Sequence, residues 1–188
     1  LRRVDIPAKV TGAAAYVQDM RLPGMLHARV VRPPSYGARL GKADIGATSK
    51  MPGVVKVVRD GSFLAVVAKR EFEAIKAMRY LAGSAEWEEA ARLPADRPLA
   101  EVITGLGAQD LKILDRHSDA SPAEITIEAS YTRPYQAHGS IGPSCAVAHY
   151  QDGALTVWTH TQGVYPDRAA IAEMLHLSAD KLRLIHVE

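Results

Sequence analysis

The sequence predicts an α+β fold with mixed sheets, and three observations predict it. Short runs rich in β-branched or apolar residues, such as 54–58 and 63–68, recur between glycine- and proline-marked turns. Two longer spans, 70–82 and 166–177, carry helix signals. Between them, residues 88–123 lose all pattern and are punctuated by Pro94, Pro98, Gly105, Gly107 and Pro122. So long a structureless stretch is unusual inside one compact domain and marks a boundary.

Residues 11–20 and 25–32 read as extended, joined by a turn at Pro23-Gly24. Pro33-Pro34 ends the second run, because proline cannot donate to a sheet ladder. A short helix is expected over 44–50, stopping before Met51-Pro52-Gly53. The strand at 54–58 is followed by an Asp60-Gly61 turn and a buried strand at 63–68. In the helix at 70–82, Phe72, Ile75, Met78 and Leu81-Ala82 fall three or four residues apart, which predicts the buried face. Residues 85–87 form a further short strand, and a helix is expected near 99–104. Past the boundary come a strand at 124–131 and a Gly/Pro/Ser turn region at 139–144. A hairpin follows, with strands 145–150 and 155–159 around Asp152-Gly153. The helix from Pro166 places proline where its missing N–H costs nothing, and a last strand is expected over 181–187.

The 188 residues set bounds on function. Lys and Arg number 23 against 21 Asp and Glu, a balance too even to imply nucleic acid or an anionic membrane as partner. Apolar runs fall short of the ~20 residues a membrane span needs. A single cysteine, Cys145, excludes an internal disulfide and a thiolate-rich metal site, and reads as a small buried thiol. The chain starts at Leu1 without a methionine and stops inside an alternating apolar run, so it is read as a piece of a longer protein.

The best local candidate for chemistry is the junction His160-Thr161-Gln162-Gly163-Val164-Tyr165-Pro166 between a strand and a helix. Rigid elements on both sides hold polar side chains there. The free N–H groups and dipole of a helix start favour an anionic ligand. Gln162 can donate two hydrogen bonds and orient an oxo or phosphate oxygen, and Gly163 lets a ligand approach the backbone. The same residues also suit a plain turn. His138, in Tyr135-Gln-Ala-His, lacks a second ligand at useful spacing and reads as a buried structural histidine. No Gly-x-Ser-x-Gly elbow, phosphate loop or paired-histidine metal motif is present.

Several stretches together resemble the molybdenum-binding large subunit of the xanthine dehydrogenase/aldehyde oxidase family. They are Arg3-Val-Asp-Ile-Pro-Ala-Lys-Val-Thr-Gly12, Leu22-Pro-Gly-Met-Leu-His-Ala-Arg29, Arg32-Pro-Pro and Met51-Pro-Gly-Val-Val55. To these add Tyr135-Gln-Ala-His-Gly-Ser-Ile-Gly-Pro-Ser-Cys145 and Leu155-Thr-Val-Trp-Thr-His-Thr-Gln162. Within that family the sequence is most similar to nicotinate dehydrogenase and isoquinoline 1-oxidoreductase types. Ile141-Gly142 departs from the acidic pair common there.

The resemblance implies an a/b hammerhead domain over 1–90, a linker over 91–122, and an incomplete first molybdopterin-binding domain over 123–188. It implies a hydroxylase that inserts a water-derived oxygen into an N-heteroaromatic or aldehyde substrate. Gln162 would be the catalytic residue whose amide bonds an oxygen of the molybdenum group, and Gly163 would lie beside the cofactor. No residue of this chain is expected to ligate the metal. The implied cofactor is a molybdopterin, in a dinucleotide form, with [2Fe-2S] clusters in a small partner subunit and a flavin or cytochrome as electron acceptor. The remainder of its own chain is the other expected partner. The isolated piece is expected to be inactive, to hold no cofactor and to self-associate. Its compartment, bacterial cytoplasm or periplasm, stays open. The alternative is a scaffold or docking module with no cofactor contact.

Overall fold

The structure, a computed structural model, describes residues 3–14, 16–89, 96–116, 125–139 and 143–187. The chain divides into two compact units, one made of Leu1–Met25 with Gly139–Glu188 and the other of Leu26–His138. Compactness thus groups the first 25 residues with the last 50, whereas the expected sequence modules were 1–90, 91–122 and 123–188.

In the Leu26–His138 unit, β1 (His27–Val30), β3 (Val54–Asp60) and β4 (Phe63–Ala68) form an antiparallel sheet with β4 in the centre. The central position explains the composition of β4, in which Leu64, Val66 and Ala68 are fully buried. Removing each such Leu or Val side chain from water contributes ~2 kcal/mol. Gly61, at φ 55°, turns β3 into β4 through a two-residue connection. The strand β2 (Arg39–Lys42), not foreseen from sequence, pairs with β5 (Glu86–Glu88). The Arg59 guanidinium donates to the carbonyls of Leu40 and Gly41 at 3.1 and 3.0 Å and ties β3 to β2. The short helix α2 (Ile45–Ser49) is capped by Asp44, whose carboxylate accepts from the Ala47 N–H at 2.8 Å.

Helix α3 (Glu71–Gly83) forms where expected, but its buried face differs. Ala74, Ala77 and Leu81 are fully buried, while Phe72 is 71% exposed. Of the expected face, Leu81 is buried and Met78 packs on the core, while Phe72 and Ala82 are exposed. Small side chains let the helix lie close on the sheet, and the bulky Phe72 turns out to solvent. The helix at 99–104 is present as α4 (Leu99–Thr104).

The strand expected over 124–131 does not form within the described residues 125–131. Ile125, Ile127 and Tyr131 are 78, 85 and 92% exposed there. Their alternation needs a neighbouring strand, and no described strand pairs with them. The extended run expected over 11–20 is also overturned. Instead, α1 (Ile6–Thr11) ends on a left-handed Gly12 at φ 72°, and a 3-10 turn spans Val17–Asp19. Local bonds won over strand propensity: Pro7 starts the helix, and the Asp19 carboxylate accepts from the Tyr16 N–H at 3.0 Å. Asp5 accepts from Arg3 and, at 2.7 Å, from Lys9, and these bonds hold its carboxyl well below the usual carboxylate range.

In the other unit, β6 (Ala146–Gln151), β7 (Ala154–Thr159) and β8 (Leu182–His186) form a sheet in that order. Asp152 and Gly153, at φ 51° and 77°, make the tight turn between β6 and β7. Helix α5 (Val164–Met174) then crosses back, so β8 pairs with β7 in parallel, from Leu155↔Leu182 to Thr159↔His186. Leu155, Val157, Ala172, Leu182 and Leu184 form the core between sheet and helix. Arg168 on α5 donates to the Leu182 carbonyl at 2.8 Å and fixes the start of β8. No described helix is long and apolar enough to cross a membrane.

Candidate functional site

Parallel pairing places the carboxyl ends of β7 and β8 on one edge, and the pairing continues one residue further through the Val187 N–H to the Thr159 carbonyl at 3.0 Å. In open sheets built from such units, ligands bind beyond the carboxyl ends of the strands. The loop His160-Thr161-Gln162-Gly163 leaves β7 at this edge and enters α5.

Thr161 organises the loop. Its hydroxyl accepts the Gly163 N–H at 3.0 Å and donates to the Asp167 carboxylate in the first turn of α5. Its carbonyl lies 2.9 Å from His186 Nδ1 at the end of β8, and accepts from it in the tautomer protonated there. One residue earlier, His160 Nε2 accepts the Cys145 N–H at 3.4 Å, and the Thr159 hydroxyl donates to the Cys145 carbonyl at 3.4 Å. The loop is therefore tied to both neighbouring strands.

Gln162 is exposed, and its side chain has no hydrogen-bond partner among the described residues. Gly163 sits at φ −112°, a conformation open to any residue. A Cβ there would meet Pro166 Cγ at 3.5 Å and Thr161 Oγ1 at 3.9 Å, ordinary contacts, so neither backbone nor packing requires glycine. The helix begins at Val164, two residues before the expected Pro166. Asp167, absent from the expected site, puts a carboxylate in the first turn. It complements the helix dipole itself and weakens the attraction of this helix start for a bare anion. The edge is thus better suited to a neutral or amide-donor contact from Gln162 than to phosphate capture by the helix.

Thr161 lies in the expected loop without an assigned role there, and His186 lies outside the expected site. The signal for Thr161 was legible: a threonine two residues before a helix-entry glycine forms a local side-chain turn. His186 could not be found without knowing that β8 runs beside β7. His138, expected to be buried, is exposed, because the extended stretch carrying it has no sheet partner among the described residues. Cys145 is half-buried. Residues 140–142 of the expected Gly/Pro/Ser turn lie outside the described residues. Among the described residues, no group of three His, Cys, Asp or Glu could hold a metal ion.

Residues 110–188 match the family described as molybdopterin cofactor-binding domain. Over 99% of its length the chain is 38% identical to a nicotinate dehydrogenase subunit from Pseudomonas putida, covering 16% of that protein. Over 97% of its length it is 26% identical to the beta subunit of isoquinoline 1-oxidoreductase from Brevundimonas diminuta, covering 25% of that protein. The aldehyde oxidoreductase of Desulfovibrio gigas has the same fold over 98% of this chain and 26% of its own, with a TM-score of 0.71 at 19% identity. The chain therefore spans a quarter or less of the curated relatives it matches here. These matches support a fragment of a xanthine dehydrogenase family molybdenum-binding protein, with residues 110–188 in the molybdopterin cofactor-binding domain.

Proposed function

We propose that this chain is part of the large subunit of a molybdenum hydroxylase, in which Gln162 donates a hydrogen bond to an oxygen of the molybdenum–pterin group. The observation that carries the reading is an amide left unpaired among the described residues, on a loop clamped at the carboxyl edge of β7 and β8. The residues fit such a group. An amide N–H suits an oxo oxygen, and a Cβ at Gly163 would make only ordinary contacts. When bound, the molybdenum–pterin group supplies the two-electron oxidation that accompanies insertion of a water-derived oxygen.

The chain's own contribution is orientation. An amide fixed in place before reaction stabilises developing charge without reorganising at the moment of need. The relatives named for nicotinate and isoquinoline support an N-heteroaromatic substrate class, with an aldehyde as the other choice. The same relatives, named as subunits, support partner subunits, which we assign as a [2Fe-2S] protein and a flavin or cytochrome acceptor. Residues 1–90 are assigned as an a/b hammerhead domain, 91–122 as a linker and 123–188 as the first part of the cofactor domain. The isolated chain is inactive in this reading, and it self-associates through its exposed apolar residues.

The test is Gln162→Ala in the full-length enzyme. Hydroxylation is expected to fall about 100-fold, the scale seen for loss of one preorganised donor, with folding and metal content unchanged. Turnover equal to the parent enzyme overturns the reading and leaves the chain as a scaffold module.

A further inference from the structure

A glutamine side chain has three rotatable bonds, so its aim depends on how firmly the backbone beneath it is held. Beneath Gln162 the backbone is held on both sides and the side chain by nothing described. The Thr161 hydroxyl stands at the centre of this arrangement. A carboxylate can only accept, so the bond to Asp167 must use the hydroxyl proton. The lone pairs are then left for the Gly163 N–H at 3.0 Å. In the tautomer protonated at Nδ1, His186 donates to the Thr161 carbonyl at 2.9 Å. Residues 161 and 163 are therefore pinned from three directions, with residue 162 projecting between them.

We propose that Thr161 is a positioning residue for Gln162, its hydroxyl set by Asp167 and its carbonyl held by His186. The inference rests on the role proposed above for the Gln162 amide. Loss of the hydroxyl frees the Gly163 N–H and releases the Asp167 carboxylate beside the loop. Gly163 then loses the bond that holds it at φ −112° and ψ 59°, outside the helix. A misplacement of ~1 Å in a catalytic group costs ~100-fold at the extreme. A loosened loop that still samples the right geometry loses less.

The experiment compares Thr161→Val, Thr161→Ser, Gln162→Ala and the double variant Thr161→Val/Gln162→Ala in the full-length, metal-loaded enzyme. Thr161→Val is expected to lower kcat about 10-fold with little change in KM, within the range for a misaligned group. Thr161→Ser, which keeps the hydroxyl, restores turnover. The double variant turns over no more slowly than Gln162→Ala alone, because a residue that acts through Gln162 has nothing left to act on. Hydrogen–deuterium exchange over residues 160–165 speeds up in Thr161→Val and returns to parent rates in Thr161→Ser. Molybdenum and pterin content stay at parent levels. Should Thr161→Val yield no loaded enzyme, Asp167→Ala is read in the same way.

Parent-like kcat for Thr161→Val alongside an impaired Gln162→Ala overturns the positioning role alone. Additive losses in the double variant also overturn it, by showing that Thr161 acts independently. A parent-like Gln162→Ala overturns both this role and the reading beneath it.

Discussion

The protein contains two strand-to-helix junctions built from similar parts and finished differently. In one, β4 ends at Ala68 and α3 begins at Glu71. There the Glu73 carboxylate turns back to accept the Arg70 N–H at 3.1 Å, and the Lys69 N–H donates to the Gly53 carbonyl at 2.9 Å. Gly53, at φ 75°, lies so close that a Cβ would stand 1.8 Å from Glu73 Oε2. Both backbone N–H groups named there are used internally, and the junction is sealed at the level of its backbone. In the other, β7 ends at Thr159 and α5 begins at Val164. Its carboxylate, Asp167, serves the loop through Thr161, and the Gln162 amide is left over. One junction spends its carboxylate on its own helix start; the other spends it on the loop and leaves the Gln162 amide for the role proposed above.

The comparison can be broken or sharpened by substitution. The largest effect is expected at Gln162→Ala, about 100-fold in turnover, with thermal stability unchanged because the side chain has no described partner to lose. A drop in melting temperature without loss of turnover would make the open junction as structural as the sealed one. Next comes Gly53→Ala. It must push Glu73 off the Arg70 N–H and hold alanine at a positive φ, costing about 1–3 kcal/mol in the stability of that unit. Glu73→Ala, which removes the cap and leaves Gly53 at ease, should cost about 1 kcal/mol. Both are read by chemical denaturation followed at Trp87, a residue packed on the same core. The smallest effect is at Gly163→Ala, expected to stay within about 0.5 kcal/mol of the parent chain. A large destabilisation there would show that the open junction depends on its glycine as the sealed one does. Lost turnover at parent stability would instead place a ligand against Gly163.

How legible each junction was in the sequence follows from the range of its interactions. The tight turns at Gly61 and Asp152-Gly153, the central strand Phe63–Ala68 and the hairpin β6–β7 are set by neighbours a few residues apart, and sequence pattern found them. The burial of α3 is set by how closely a helix can approach a sheet, so periodicity gave the spacing of its buried face and missed that Ala74 and Ala77, not Phe72, lie inside. The pairing of β2 with β5 joins residues more than forty positions apart and left no local mark. The run 124–131 failed for the opposite reason: its alternation was real, but within the described residues 125–131 it meets no partner strand. At the candidate site, Gln162 and Gly163 stood out by their place between strand and helix. The contribution of His186 required the parallel register that brings Thr159 beside it.

That register also sets an order of assembly. The β6–β7 pair closes through two residues, whereas β8 reaches β7 only after α5 has been traversed, and longer closures cost more chain entropy. The hairpin should therefore protect its amides early in refolding and β8 late. His186 arrives with that last strand, so the clamp on Thr161 is completed only at the end. A nascent chain would display the unfinished Gln162 loop for as long as β8 is still undocked.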